Sequence, residues 1–293
     1  MKSGFVSLIG RTNVGKSTLI NQLVSHKIAI TSNKPQTTRN IIQGVYNDED
    51  YQIVFIDTPG FHKPHNRLGK VLNKQAGSLV GNVDVVLFVI DASVPLGAGD
   101  QLVMTKLKSC PCPIILVLNK IDKISNEELL LKISEYKDLL DFAEIVPVSA
   151  LKKDNIERLI AVIKNYLTDH VKYFDEQEYT TNSLSFMISE LVREKLMNHM
   201  SEEIPHSITC LTSQIEEKTD LVNVTVEIIV DRDSLKKIII GKSGHVLKTI
   251  GTEARMDMEE LLNKKVYLEL YVKTVKDWRD KERYLKELGF VEK

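Results

Sequence analysis

"FVSLIGRTNVGKSTLINQLVS", residues 5–25, joins a short apolar run to a helix-forming one through Gly10-Arg11-Thr12-Asn13-Val14-Gly15-Lys16-Ser17. The octet has the GxxxxGK[ST] spacing, and its flanks are those the spacing requires, a strand before and a helix after. Glycines let such a loop wind back so that successive backbone N–H groups converge on phosphate oxygens, and the helix N-terminus adds a favourable dipole. Lys16 would reach the β- and γ-phosphates, and Ser17 would ligate Mg2+. The expected phosphate-side set is Asn13, Val14, Gly15, Lys16, Ser17 and Thr18.

Outward from this stretch, "YQIVFID", "VDVVLFVID", "CPIILVLNK" and "AEIVPVSA" are further strand candidates, several of them continuously apolar. Continuous runs of this kind belong to parallel strands covered on both faces. Helical stretches such as "SNEELLLKISEYKDLLD" lie between them, so residues 1–168 read as an α/β domain with a mainly parallel sheet and helices on both faces. Its last helix carries Ile156, Leu159, Ile160, Ile163 and Leu167 on one face, with Asp154 as the expected cap. The polar, acidic stretch 169–182 reads as a linker. Residues 183–293 then form an α+β module: a helix, two antiparallel-type strands, two helices, a third strand, and "DWRDKERYLKELGF" as a terminal helix.

With 293 residues the chain suits two domains of ordinary size. Its 43% hydrophobic and 27% charged residues, without a low-complexity tract, exclude a mainly disordered protein. A net charge of -1 means that nucleic-acid affinity would have to come from a local patch. The longest apolar runs fall far short of the roughly 18 residues needed to cross a bilayer, and no secretory segment precedes the first strand, so a cytoplasmic location is expected. Cys110, Cys112 and Cys210 are too few for a disulfide framework or a four-ligand zinc site, and Cys110-Pro-Cys112 reads as a turn before a strand, with a redox or metal role as the remote alternative.

Base preference is read elsewhere. Asn119-Lys120-Ile121-Asp122 ends a strand, where an α/β sheet places ligand residues. The Asp122 carboxylate can accept from the N1–H and 2-amino group of guanine, a donor pair adenine lacks. Ser149 and Ala150, ending the next strand, would complete the base pocket. Asp57-Thr58-Pro59-Gly60 would bring Asp57 near Mg2+ and the Gly60 N–H to the γ-phosphate. In the intervening "TSNKPQTTRN", Thr38 is the candidate second Mg2+ ligand and Thr37 the runner-up. Lys16, Thr38 and Gly60 are thus the candidate catalytic groups. Loops held by the γ-phosphate and its metal lose their anchor on hydrolysis, which makes the domain a switch as well as a hydrolase. The position after DTPG, where many GTPases place a water-orienting Gln, is Phe61, with His62 as a substitute to consider.

The set "GRTNVGKS", "QTTR", "DTPGFHKP", "NKID" and "VSA", together with "REKLMNHMSEEIPHS" and "IIIGKSGHVLKTIG", resembles the Era family of bacterial GTPases over essentially the whole chain. That resemblance implies a P-loop GTPase domain followed by a type II KH domain. It further implies binding of GTP and GDP, binding of 16S ribosomal RNA near its 3' end, and a role in maturation of the 30S subunit. Asn13 matches the asparagine associated in such GTPases with a stimulating K+ ion, and Phe61 the hydrophobic residue they carry in place of Gln. A monomer is expected, and peripheral association with the inner membrane occurs in the family.

The second GKS, Gly241-Lys242-Ser243, is not a second phosphate loop. Lys236 stands where the first loop glycine should be, and the residues before it read as a helix. Ile240, Gly241, Lys242, Ser243 and Gly244, followed by Leu247 and Ile250, give instead the IGxxGxxLxxI pattern of a KH helix-loop-helix, whose loop clamps a nucleic-acid backbone. Lys242 and Lys248 would add positive charge. From Ser234 to Lys276 nine basic residues stand against five acidic ones. Two competing readings are a signalling GTPase whose KH-like module contacts a protein, and a peripheral membrane GTPase.

Overall fold

A computed structural model describes residues 1–34, 37–61, 64, 66–78, 81–201 and 204–291. The chain divides into two compact units, residues 1–65 with 69–181, and residues 182–293 with 66–68. In the first unit the order is β1 (Lys2–Ile9), α1 (Lys16–Val24), β2 (Ile42–Asn47), β3 (Tyr51–Asp57), α2 (Arg67–Ser78), β4 (Val85–Asp91), α3 (Ala98–Leu107), β5 (Ile114–Asn119), α4 (Asn126–Tyr136), β6 (Glu144–Val148) and α5 (Ile156–Lys164). The sheet order is β2-β3-β1-β4-β5-β6. Every neighbouring pair is parallel except β2 with β3. Val85 to Ile90 are all buried, because β4 lies inside a sheet that has no solvent face there.

β2 has little sequence signal. It is a short edge strand with Gly44 at its middle, paired to β3 through a turn in which Asp48 Oδ1 accepts from the N–H groups of Asp50 (3.0 Å) and Tyr51 (2.8 Å). The stretch read as a linker is bound to the same unit up to Thr181. Ser3 N–H donates to the Asp169 carbonyl (2.8 Å) and Val45 N–H to that of Tyr179 (2.9 Å). The Gln52 amide, fully buried, is satisfied by Tyr173 N–H (2.7 Å), Phe174 N–H (3.0 Å) and the Phe174 carbonyl (2.8 Å). An edge strand and a buried amide both need backbone partners, and a polar composition does not show that this segment supplies them. The cap of α5 also differs from expectation. Asn155, in the left-handed region, occupies it, while the Asp154 backbone exchanges hydrogen bonds with Ser149.

The second unit runs α6 (Leu184–His199), β7 (Ile208–Glu217), β8 (Leu221–Val230), α7 (Asp233–Ile240), α8 (His245–Leu262), β9 (Lys265–Thr274) and α9 (Glu282–Glu287). β8 is central, antiparallel to β7 and parallel to β9. Val222, Val224, Val226, Ile228 and Val230 alternate into a core met by Ile250, Ala254 and Met258 of α8 and by Ile188, Val192 and Leu196 of α6. Period two on the strand and period four on the helices meet in one apolar layer. The terminal segment is not one helix. Asp277 adopts the left-handed region (φ 52°), a 3-10 turn covers Trp278–Asp280, and α9 follows. The break lets Trp278 sink completely out of solvent, with its indole N–H donating to the Ser207 carbonyl (3.1 Å).

Trp278→Ala should therefore destabilise the second unit by about 3–5 kcal/mol, read as an earlier denaturant transition by circular dichroism. A transition unchanged from wild type would show that the indole does not anchor this end of the chain.

Candidate functional site

The loop from Gly10 to Gly15 joins β1 to α1, with Asn13 (φ 65°) and Gly15 (φ 96°) both in the left-handed region that curls it back on itself. Lys16, 6% exposed, spans the loop and donates from Nζ to the carbonyls of Gly10 (3.2 Å) and Arg11 (2.9 Å). Burial pulls its pKa down, opposed by the Asp57 carboxylate and reinforced by Arg11. Arg11 is held in turn by Asp100 of α3 (Nε to Oδ2, 3.0 Å). One cavity is lined by Asn13, Gly15, Lys16, Ser17 and Thr18 on the loop side and by Thr37, Thr38 and Gly60 opposite.

Three oxygens from separate segments meet beside it. Ser17 Oγ lies 2.7 Å from Thr38 Oγ1 and 2.9 Å from Asp57 Oδ2, and Thr38 Oγ1 donates to Asp57 Oδ2 at 3.2 Å. The Thr37 hydroxyl is turned away, donating to the Lys34 carbonyl (2.7 Å). The other Asp57 oxygen, Oδ1, is buried with no side-chain hydrogen-bond partner among the described residues. Burial pushes the Asp57 carboxyl up, against the pull of Lys16, Ser17 and Thr38. Two hydroxyls and a carboxylate whose buried second oxygen no described side chain meets are the hard donor set that Mg2+ takes alongside phosphate, so the residues fit that ion. Phe61 is 3% exposed and packs with Ile9 and Phe88, its ring 4.9 Å from Lys106 Nζ. A side chain in that position orients no water. His62 lies outside the described residues.

At the ends of β5 and β6 the base-side residues are tied to the phosphate loop. Asn119, 2% exposed, donates from Nδ2 to the Val14 carbonyl (2.8 Å), and its Oδ1 accepts from the N–H groups of Lys120 (2.8 Å) and Ala150 (3.0 Å). Lys120 Nζ reaches the Asn13 carbonyl (2.7 Å) and Asp91 Oδ2 (2.6 Å). Ser149 Oγ donates to Asp122 Oδ1 (2.5 Å) and accepts from Lys152 N–H (3.1 Å). Asp91 is the residue that reading the sequence missed. It ends β4, and the C-terminal end of a parallel strand was the available signal. Burial works against its ionised form, but Lys120 and the two donors of Ser93 outweigh it and hold the carboxyl below its ordinary range.

In the second unit, α7 ends at Ile240, which is half-buried, and a tight turn leads through Gly241, Lys242, Ser243 and Gly244 into α8. Gly241 has φ 72°, and a Cβ there would stand 2.5 Å from the Val246 side chain, so the turn admits no other residue without displacement. At Gly244 a Cβ would meet nothing within 4 Å, which leaves open space over the turn. A groove of about 530 Å3 begins at Gly244 and runs between Lys248 and Arg255 of α8 and Tyr267 of β9. The charge pattern is uneven. Arg255, Lys264, Lys265 and Lys273 are paired with Glu259, Glu217, Glu259 and Glu227 respectively. Lys236, Lys237, Lys242 and Lys248 have no ion pair among the described residues, and they cluster on the helix-loop-helix.

A GxxxxGKS loop tied to the NKID strand end on a mainly parallel sheet, followed by a GxxG helix-loop-helix, defines a GTPase domain joined to a KH domain. Residues 5–120 match the family of 50S ribosome-binding GTPases and residues 203–279 the KH domain. Two solved structures extend the likeness to the whole chain. A variant of Aquifex aeolicus Era bound to GDP.AlF4- is 40% identical, with a TM-score of 0.96 over 99% of this chain and 100% of that one. Era in complex with MgGDPNP and nucleotides 1506–1542 of 16S ribosomal RNA is also 40% identical, with a TM-score of 0.94 over 99% of each chain. The chain belongs to the Era family of GTPases.

Asp91→Asn should loosen the anchor that holds Lys120 against the Asn13 carbonyl and weaken GDP binding by about 10- to 100-fold, the scale of losing one charged hydrogen bond of about 1.5–3 kcal/mol. Fluorescent-GDP titration measures it, and an unchanged affinity would remove Asp91 from the site.

Proposed function

We propose that this chain is a GTP-hydrolysing switch that acts as a monomer, binds 16S ribosomal RNA through its KH domain and assists assembly of the 30S subunit. The observation that carries the reading is its end-to-end likeness, at 40% identity, to an Era solved with MgGDPNP and a 16S segment. The four unpaired lysines around the GxxG turn support the RNA half, because backbone phosphates attract positive charge that has no acidic neighbour to satisfy it. For the peripheral membrane reading, α9 offers only six residues with Glu282 and Glu287 among them, and no helix among the described residues is long and apolar enough to cross a membrane.

Hydrolysis moves the γ-phosphoryl group from GTP to water. Lys16 would stabilise charge on the β- and γ-oxygens and the Gly60 N–H would receive the γ-phosphate. Ser17, Thr38 and Asp57 would hold Mg2+, which when bound neutralises charge on the same oxygens. Asp122, Ser149 and Ala150 would select guanine. Since Phe61 supplies no water-orienting group, we infer that a K+ ion at Asn13 takes part. The Asn13 amide N–H already donates to the Asn33 carbonyl (3.0 Å), which leaves Oδ1 as the atom it can offer a cation.

Two experiments test this. Replacing K+ by Na+ should slow hydrolysis by up to roughly a hundredfold, the scale of losing one electrostatic stabiliser, and Asn13→Ala should erase the difference between the salts; equal rates in the wild type would end the potassium assignment. Lys242→Asp with Ser243→Asp should weaken single-stranded RNA binding by about tenfold or more and reduce its salt slope by about one, while GTP hydrolysis persists. RNA affinity at the wild-type level would point instead to a protein partner.

A further inference from the structure

Cys110 and Cys112 flank Pro111 in the loop between α3 and β5, and their Sγ atoms stand 2.9 Å apart. Both are partly exposed, Pro111 is exposed, and the two side chains rest on the apolar cluster formed by β4, β5 and α3. The loop is anchored on both sides. Cys110 N–H closes the turn onto the Leu107 carbonyl (2.9 Å), and the Pro113 carbonyl accepts from Val86 N–H (3.0 Å). Two sulfurs are thus presented side by side at the surface by a backbone that is already in place. Among the described residues no group of three or more His, Cys, Asp or Glu could hold a metal ion, so the pair lacks the further ligands of a thiolate metal centre.

We propose that Cys110 and Cys112 form a reversible dithiol–disulfide site that exchanges with small disulfides of the glutathione class. Burial and the neighbouring Cys110 push the Cys112 thiol up to about 12, so while both sulfurs are reduced the first attack falls to Cys110. Its thiolate attacks one sulfur of oxidised glutathione, forming a mixed disulfide and releasing one glutathione thiolate. With Cys110 now in a disulfide, its charge no longer opposes ionisation of Cys112, which gives its proton to the released glutathione thiolate; the Cys112 thiolate attacks the mixed disulfide at Cys110, the protein S–S bond forms, and the second glutathione leaves as a thiolate that takes a proton from solvent. The protein loses two electrons and two protons, and one oxidised glutathione becomes two reduced ones. In a reducing interior such a pair is transient and responds to oxidant, the way most intracellular disulfides behave. It lies at the start of β5, whereas Asn119 ends that strand about 20 Å away at ~3.3 Å per residue, so guanine nucleotide binding should survive oxidation.

The test treats the native full-length chain with oxidised glutathione, blocks remaining thiols, digests it, and weighs the tryptic peptide from Ser109 to Lys120. The expected peptide is two hydrogens lighter, with no glutathione attached. Cys210 stays alkylatable after denaturation, GDP binding is retained, and dithiothreitol reverses the change. Cys112→Ser should instead keep glutathione on Cys110. A wild-type peptide with both thiols still alkylated, one carrying a lasting glutathione, or disulfide formation accompanied by loss of GDP binding would each overturn the proposal, and the wild-type readings decide even if the variant fails to fold.

Discussion

One side-chain amide holds the nucleotide end of the first unit together. Asn119 donates to the Val14 carbonyl and accepts from the Lys120 and Ala150 N–H groups, so a single buried group joins the loops that follow β1, β5 and β6. Those strands are not consecutive in the sheet: β4 lies between β1 and β5. Backbone pairing therefore fixes the strands but leaves their terminal loops free to diverge. A buried amide without its partners would cost about 1–3 kcal/mol for each unsatisfied group, and this penalty ties the loops into one arrangement. Lys120 repeats the device one residue on, linking Asn13 to Asp91 of the strand that Asn119 passes over. Two side chains thus couple the loop after β1 to the ends of β4, β5 and β6.

The two GKS triplets show how little three letters specify. At Gly15-Lys16-Ser17 the lysine is buried beneath a loop that began at a strand end, and its ammonium faces backbone carbonyls. At Gly241-Lys242-Ser243 the same lysine is exposed between two helices, on a turn whose first glycine is pressed against Val246. The first setting favours a compact, multiply charged phosphate reached by many N–H groups at once. The second presents charge over an open groove, as an extended backbone requires. What precedes the triplet decides between them, since a strand end leaves a loop free to cup a ligand and a helix end leaves only a turn.

Most of the first sheet was legible because strands buried on both faces must be largely apolar: β4 and β5 are apolar almost throughout, β1 and β3 carry long apolar runs, and β6, a partly buried edge strand, shows itself through the shorter apolar part of its run. β2 did not, since an edge strand needs no such run and Gly44 interrupts it. The KH-type module was legible through a different regularity, the order of its helices and strands and the IGxxGxxLxxI spacing from Ile240 to Ile250. The stretch 169–181 was misread for a physical reason: its contacts to Gln52, Ser3 and Val45 are made by its backbone, and backbone partners leave no mark on side-chain chemistry. Asp91 escaped for a related one. An aspartate at the end of an apolar strand looks like the solvated start of a loop, and only the fold shows that Lys120 comes back to meet it. The terminal segment has helical spacing, but Trp278 wins more by burying its ring than a regular helix would gain across that turn.

Lys16 and Asp57 are charged groups held out of solvent, a costly arrangement. Both are buried, and burial drives each toward its neutral form, the ammonium down and the carboxyl up. Their attraction offsets only part of that cost, and no described side chain meets Asp57 Oδ1. A phosphate in the loop would favour the charged lysine, and a divalent cation at Ser17 and Thr38 would favour the charged carboxylate. Either ligand alone would satisfy one partner while drawing it away from the other. Nucleotide and metal together would satisfy both, and the cost of burying these charges would then become a preference for taking up the two ligands as a pair. Thr38 stands at the same meeting point, on a segment that reaches the site through its hydroxyl contacts with Ser17 and Asp57.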